Sequence, residues 1–83
     1  MYKIMLIASA AKDLDTLEEK LFTQVRDAML ELAENPRPHG CHKLTVMEGY
    51  RIRSGNYRIL YRIDDLNKQI YIYRIKHRRD VYR

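Results

Sequence analysis

Apolar residues recur along this chain at two periods, and the change between them divides it into a helical half and a strand half. Tyr2 to Ile7 is a short apolar run with Lys3 near its edge, which predicts a first strand. Ser9 is placed to cap a short helix reaching about Asp15, with Ala11 and Leu14 facing inward. Thr16-Leu17-Glu18-Glu19 then has the form of a capping box, Thr16 at the cap and Glu19 at the third helical position. Behind it Leu17, Leu21, Val25, Ala28, Met29 and Leu32 fall on one stripe, widened by Phe22, so a longer amphipathic helix comes next. Asn35-Pro36 ends it, because the residue before a proline is pushed out of the α region. The stripe reads as core, with Met29 and Met47 as gap fillers.

Arg37 to Cys41 is a connector punctuated by Pro36, Pro38 and Gly40, and Lys43 to Met47 adds a short extended piece. Period two begins at Tyr50. Tyr50 and Ile52 take one face of a strand, Arg51 and Arg53 the other. Ser54-Gly55-Asn56 supplies turn chemistry, since Gly and Asn tolerate the positive φ of short hairpin loops. Tyr57, Ile59, Tyr61 and Ile63 then share one face of a returning strand, with Arg58, Leu60 and Arg62 on the other. Asp64 to Asn67 is a polar turn, and Gln69 to Lys76 is a strand apolar on both faces, as an interior strand is. The five tyrosines of these strands read mostly as core. The order predicts an α+β class: an N-terminal strand, two helices as a helical hairpin, and a three-stranded antiparallel meander completing a sheet with helices on one face. The 83 residues leave room for one domain, 1–83.

Composition narrows the function. Residues 1–49 hold six Lys/Arg against eight Asp/Glu, a balance of −2, whereas residues 50–83 hold ten against three, a balance of +7. Positive potential therefore belongs to the hairpin and the residues C-terminal to it, which points to a polyanion or an acidic protein partner. No apolar run reaches membrane-spanning length, and the N-terminus lacks a signal-peptide layout. The single cysteine, Cys41, forms no internal disulfide, which suits a cytoplasmic location.

The candidate chemistry is basic. Arg51, Arg53 and Arg58 are permanently charged groups that grip phosphate bidentately and stabilise charge building up in phosphoryl transfer. The plainer reading, a solvated sheet face, sits poorly with arginines uninterrupted by acid. Arg62 and Arg74 read as structural, with Asp64 and Asp65 close enough in sequence to pair with one of them. Tyr82, flanked by Arg78, Arg79 and Arg83, is suited to stack on an unpaired base while the arginines hold a backbone; alternatively Val81 and Tyr82 dock the tail. His77 is either a general acid or base or a filler of the strand end. His39-Gly40-Cys41-His42 lacks the spacing and the further ligands of a metal site or a Cys–His nucleophile, so no metal is expected. Paired carboxylates and Gly-rich phosphate loops are absent from the sequence.

The run Gly49-Tyr50-Arg51-Ile52-Arg53-Ser54-Gly55-Asn56-Tyr57-Arg58-Ile59-Leu60-Tyr61 and the ending Ile75-Lys76-His77-Arg78-Arg79-Asp80-Val81-Tyr82 resemble the RelE/ParE toxin superfamily, and RelE more narrowly, over essentially the whole chain. The resemblance implies a type II toxin that cleaves messenger RNA in the ribosomal A site, without cofactor or metal, by attack of the 2′-OH on the adjacent phosphate. It further implies a cognate antitoxin with an acidic, partly disordered tail that folds on binding. By position, Arg51 matches the basic residue that helps activate the 2′-OH, and Arg53 and Arg58 match groups that stabilise the phosphorane. Arg78 matches the residue that helps the 5′-oxygen leave, and Tyr82 the aromatic that positions a base. Arg51 and Arg53 stand where some RelE toxins carry lysine; a guanidinium is hard to deprotonate, so the expected part of Arg51 is to orient the nucleophile, with His77 or ribosomal RNA handling the proton. Two other readings share the fold: a ParE-like toxin acting on DNA gyrase, and a degenerate member that only binds its antitoxin.

Overall fold

The structure, a computed structural model, describes residues 1–81. In chain order the elements are β1 (Lys3–Leu6), α1 (Ala8–Asp15), α2 (Glu19–Glu34), β2 (His42–Lys43), β3 (Tyr50–Ser54), β4 (Tyr57–Asp64), β5 (Gln69–His77) and α3 (Arg78–Val81). They form an α+β fold around one five-stranded sheet of order β1-β5-β4-β3-β2. β1 runs parallel to β5, with Ile4 beside Ile70, and the other pairs are antiparallel. The meander, the interior position of β5 and the end of the long helix at Glu34 agree with the sequence pattern. Asn35 is extended (φ −145°, ψ 97°), as its proline neighbour requires.

One sheet face and both long helices build the core. Val25, Met29 and Leu32 of α2 and Ala10 and Leu14 of α1 close over Ile52, Ile59, Tyr61, Ile70, Ile72 and Ile75. Ile59, Ile70 and Ile72 are fully buried, and truncating any one to alanine costs about 2–5 kcal/mol. Tyr61 is also fully buried, and its hydroxyl donates to the Pro36 carbonyl at 2.7 Å, tying the connector to the sheet. Burial, with Cys41 beside it, pushes that phenol well up. The other four strand tyrosines are only half-buried.

Several local expectations are corrected. Ser9 does not cap α1, which starts at Ala8 after Ile7; its hydroxyl donates to the Tyr73 carbonyl at 2.6 Å. Within α1 it is Ala10, not Ala11, that is fully buried. Thr16 does not open α2, which has Glu18 at its N-cap and no side-chain cap there. Instead the Thr16 hydroxyl donates backwards to the Asp13 carbonyl at 2.7 Å, closing the end of α1. In both cases the hydroxyl donates to a backbone carbonyl instead of accepting an N–H at a helix start. Phe22 and Met47 are exposed, at 36% and 51%, so neither fills the core. The extended piece shrinks to His42–Lys43, which adds a fifth strand at the sheet edge, and residues 44–48 bend away. The basic tail begins with a helical turn, α3.

Two details position the site. β1 stops beside Ile72, and α1 takes its place along the rest of β5: Ser9 bonds the Tyr73 carbonyl and Asp13 Oδ2 accepts the Ile75 N–H at 2.8 Å. The register between β4 and β5 slips after Leu60, leaving Tyr73 as the extra residue of a bulge. At the other edge Gly49 (φ +126°) enters β3 so close to β4 that a Cβ there would lie 2.5 Å from the Tyr61 carbonyl oxygen.

Candidate nucleic-acid interface

Antiparallel register converts the alternating arginines into a grid. Arg53 pairs with Arg58 across β3–β4, and Arg58 pairs with Lys76 across β4–β5, so three cations occupy one row. In the next row on that face His42 pairs with Arg51, Arg51 with Leu60 and Leu60 with Arg74. Like charges directly opposite each other destabilise a sheet. The row of three cations is therefore unfavourable for the fold unless something anionic lies against it.

Arg58 shows this most sharply. It is only 8% exposed, yet its Nη1 donates only to backbone carbonyls, those of Gly55 at 3.4 Å and Tyr57 at 3.2 Å. The ion pairs among the described residues are Arg26–Asp27, Arg37–Asp65 and Arg74–Asp13, and none draws on Arg53, Arg58 or Lys76. A buried cation with no carboxylate beside it among the described residues carries a desolvation cost that a bound phosphate offsets.

The row opens into a cleft of about 440 Å³. β2 covers β3 only at Tyr50 and Arg51, so the edge of β3 from Ile52 onward is unpaired and forms one wall. Arg51, Arg53 and Arg58 line the cleft with His39 and Gly40 from the connector, His42 from β2, and Ala28, Glu31 and Leu32 from α2. The turn between β3 and β4 gathers a fourth arginine: the Arg78 N–H donates to the Asn56 carbonyl at 2.7 Å, one residue from the carbonyl that Arg58 holds. Gly55 (φ +59°) makes that turn.

His77 stands elsewhere. It pairs with Tyr57, whose ring it meets edge-on at 5.4 Å, so it shares the core-facing side and not the side of Arg58 and Lys76. Its Nδ1 accepts the Arg79 N–H at 3.3 Å. His77, Arg79 and Lys76 line a second cleft with Asp13, Arg74 and Asp80. Tyr82 and Arg83 lie outside the described residues. Arg74 is structural, but its partner is Asp13 (2.9 Å) rather than Asp64 or Asp65, because α1 lies along the β5 edge. Asp65 pairs with Arg37 at 3.0 Å, and Arg62 lies over the Tyr71 ring at 4.7 Å. From sequence, His39 and His42 are weighed as metal ligands or as part of a Cys–His nucleophile and set aside; the missing signal is the strand pairing of His42 with Arg51.

Residues 4–82 match the family described as ParE toxin of the type II toxin–antitoxin system, parDE. The chain belongs to the RelE/ParE toxin family. It is 33% identical over 84 residues to toxin RelG of Mycobacterium tuberculosis, covering 99% of this chain and 97% of RelG. Its fold superposes on the M. tuberculosis toxin–antitoxin complex RelBE2 with a TM-score of 0.82 at 30% identity, covering 93% of this chain and 98% of that one. The intact Escherichia coli RelBE toxin–antitoxin complex is similar with a TM-score of 0.79 at 25% identity, covering 93% and 96%. Within the family the likeness to RelE is therefore both in sequence and in fold. No described helix of this RelE-like chain is long and apolar enough to cross a membrane.

Proposed function

We propose that this chain is the toxin of a type II toxin–antitoxin pair and an endoribonuclease that cuts messenger RNA in the ribosomal A site. The observation that carries the reading is Arg58: a nearly buried guanidinium, paired across the strands with Arg53, held by backbone carbonyls in an open cleft. Arg53 and Arg58 stabilise the negative charge that grows on phosphorus as the ribose 2′-oxygen attacks. Arg51 orients that 2′-OH, Arg78 meets the departing 5′-oxygen from its place at the hairpin turn, and Tyr82 stacks on a base. Arg79 and Arg83 add backbone contacts whose strength falls with salt. The products are a 2′,3′-cyclic phosphate and a 5′-OH. The reaction belongs to the cytoplasm, where ribosomes carry the message.

The antitoxin partner follows from the complexes its structural relatives form, RelBE2 and RelBE. An acidic amphipathic segment that orders on binding covers the arginine row by charge complementarity. A ParE-like action on DNA gyrase is the second reading, favoured by the description of the matching family.

Primer extension on a message translated by purified ribosomes tests the reading, with wild type, Arg58→Ala, and wild type plus its antitoxin in parallel. Cuts in codon register appear with wild type, fall about 10²–10³-fold with Arg58→Ala, and vanish with the antitoxin. Intact message beside a chain that still arrests growth overturns the nuclease and turns attention to gyrase-dependent DNA breaks.

A further inference from the structure

Attack by a 2′-OH needs a group that takes its proton, and guanidinium groups, protonated throughout the physiological range, do not. His77 faces the core side beside Tyr57, and its Nδ1 already accepts the Arg79 N–H. The arginine cleft holds two imidazoles, His39 and His42, and one carboxylate, Glu31 of α2. Register singles out one of them. His42 is the cross-strand partner of Arg51, so the two side chains leave the sheet on the same face, their β-carbons roughly 5 Å apart. His42 is also exposed at the sheet edge, where a substrate reaches it without displacing any core residue.

We propose that His42 is the general base of the cleavage reaction, with Arg51 holding the 2′-OH toward it. The inference rests on the nuclease reading of the preceding subsection. In the step, the 2′-oxygen bonds to phosphorus as its proton passes to the neutral imidazole of His42. The bond from phosphorus to the 5′-oxygen breaks, and that oxygen takes a proton from water. Arg53 and Arg58 hold the charge on the non-bridging oxygens between these events. The groups facing His42 are Arg51 and Arg53 on β3, Arg58 on β4, His39 in the connector and Glu31 across the cleft on α2. The carboxylate is the rival base, and it comes from the opposite wall.

The test is single-turnover cleavage on a programmed ribosome complex across pH, with wild type, His42→Gln, Glu31→Gln and Arg58→Ala. His42→Gln lowers the saturated rate about 10²–10⁴-fold, leaves half-saturation unchanged and abolishes the rise of rate with pH. Free imidazole restores part of the rate to His42→Ala, and both variants melt with wild type. His42→Gln cutting at the wild-type rate and with its pH profile, beside a dead Arg58→Ala, overturns the proposal and spares the nuclease reading. Loss of the pH dependence in Glu31→Gln instead moves the base to α2 and overturns it too. A wild type that cuts nothing removes both the nuclease and its base.

Discussion

Arg74 on β5 and Arg58 on β4 carry the same charged group on adjacent strands, and the fold treats them in opposite ways. Beside Arg74, α1 supplies Asp13, whose two oxygens accept Nε at 2.9 Å, Nη2 at 3.3 Å and the Ile75 N–H at 2.8 Å. That carboxylate raises Arg74 above the ordinary range of a guanidinium. Arg58 is the more buried of the two, and the fold offers it only the carbonyls of Gly55 and Tyr57. At the β5 edge charge is neutralised and serves cohesion; in the β3–β4 row no carboxylate among the described residues neutralises it, against the interest of the fold. The contrast separates arginines that hold the molecule together from arginines that act on something else.

The contrast can be broken from either side. Of the variants that break it, Asp13→Ala has the largest expected effect: three hydrogen bonds at the β5 edge are lost, and the fold weakens by about 2 kcal/mol. Thermal melts read this as a drop in Tm of roughly 8–16 °C, and a drop of under a degree or two would mean the edge is held by something other than Asp13. On the other side, Arg53→Thr removes a like charge opposite Arg58. The fold gains about 0.5 kcal/mol, and the gain shrinks as added salt screens the row. A variant that melts lower than wild type would show that Arg53 is neutralised after all.

The smallest effect sharpens the cohesive side. Hydrogen bonds from Arg37 and then Tyr2 hold the Asp65 carboxyl below its ordinary range. A carboxyl lowered in the folded state contributes stability above its unfolded value, and that contribution is lost as pH falls through the folded value. Asp65→Asn therefore melts below wild type near neutrality, and the two converge as pH falls below about 4. A gap that persists unchanged at acid pH would remove the Arg37–Asp65 pair from the account.

Much of this is legible in the sequence, and the reasons are local. Period-two alternation from Tyr50 and the Gly55 turn are properties of a few adjacent residues, as is the end of α2 at Asn35-Pro36. Ser9, Thr16 and Phe22 are misread from sequence because their partners, or the absence of any, are decided by how elements pack. The sequence shows a serine before a helix and not the β5 carbonyl waiting beside it. The same limit applies to the site. Alternation puts Arg51 and Arg53 on one face, but only register sets Arg58 opposite Arg53 and His42 opposite Arg51, and sends His77 to the other side. Burial of Arg58 is a property of the assembled cleft, and no window of sequence contains it.

The parallel pairing of β1 with β5 has a consequence in time. Residues 3–6 are made well before their partners, residues 69–72. Until then β1 has no strand to join, and closing so long a loop must precede any gain from the contact. The same late strand brings Lys76 to Arg58, and the Arg78 N–H just beyond it meets the hairpin turn. A ribosome making this chain therefore holds, until β5 is made, an unfinished sheet and a scattered set of arginines. The cationic row comes together only once β5 has been made.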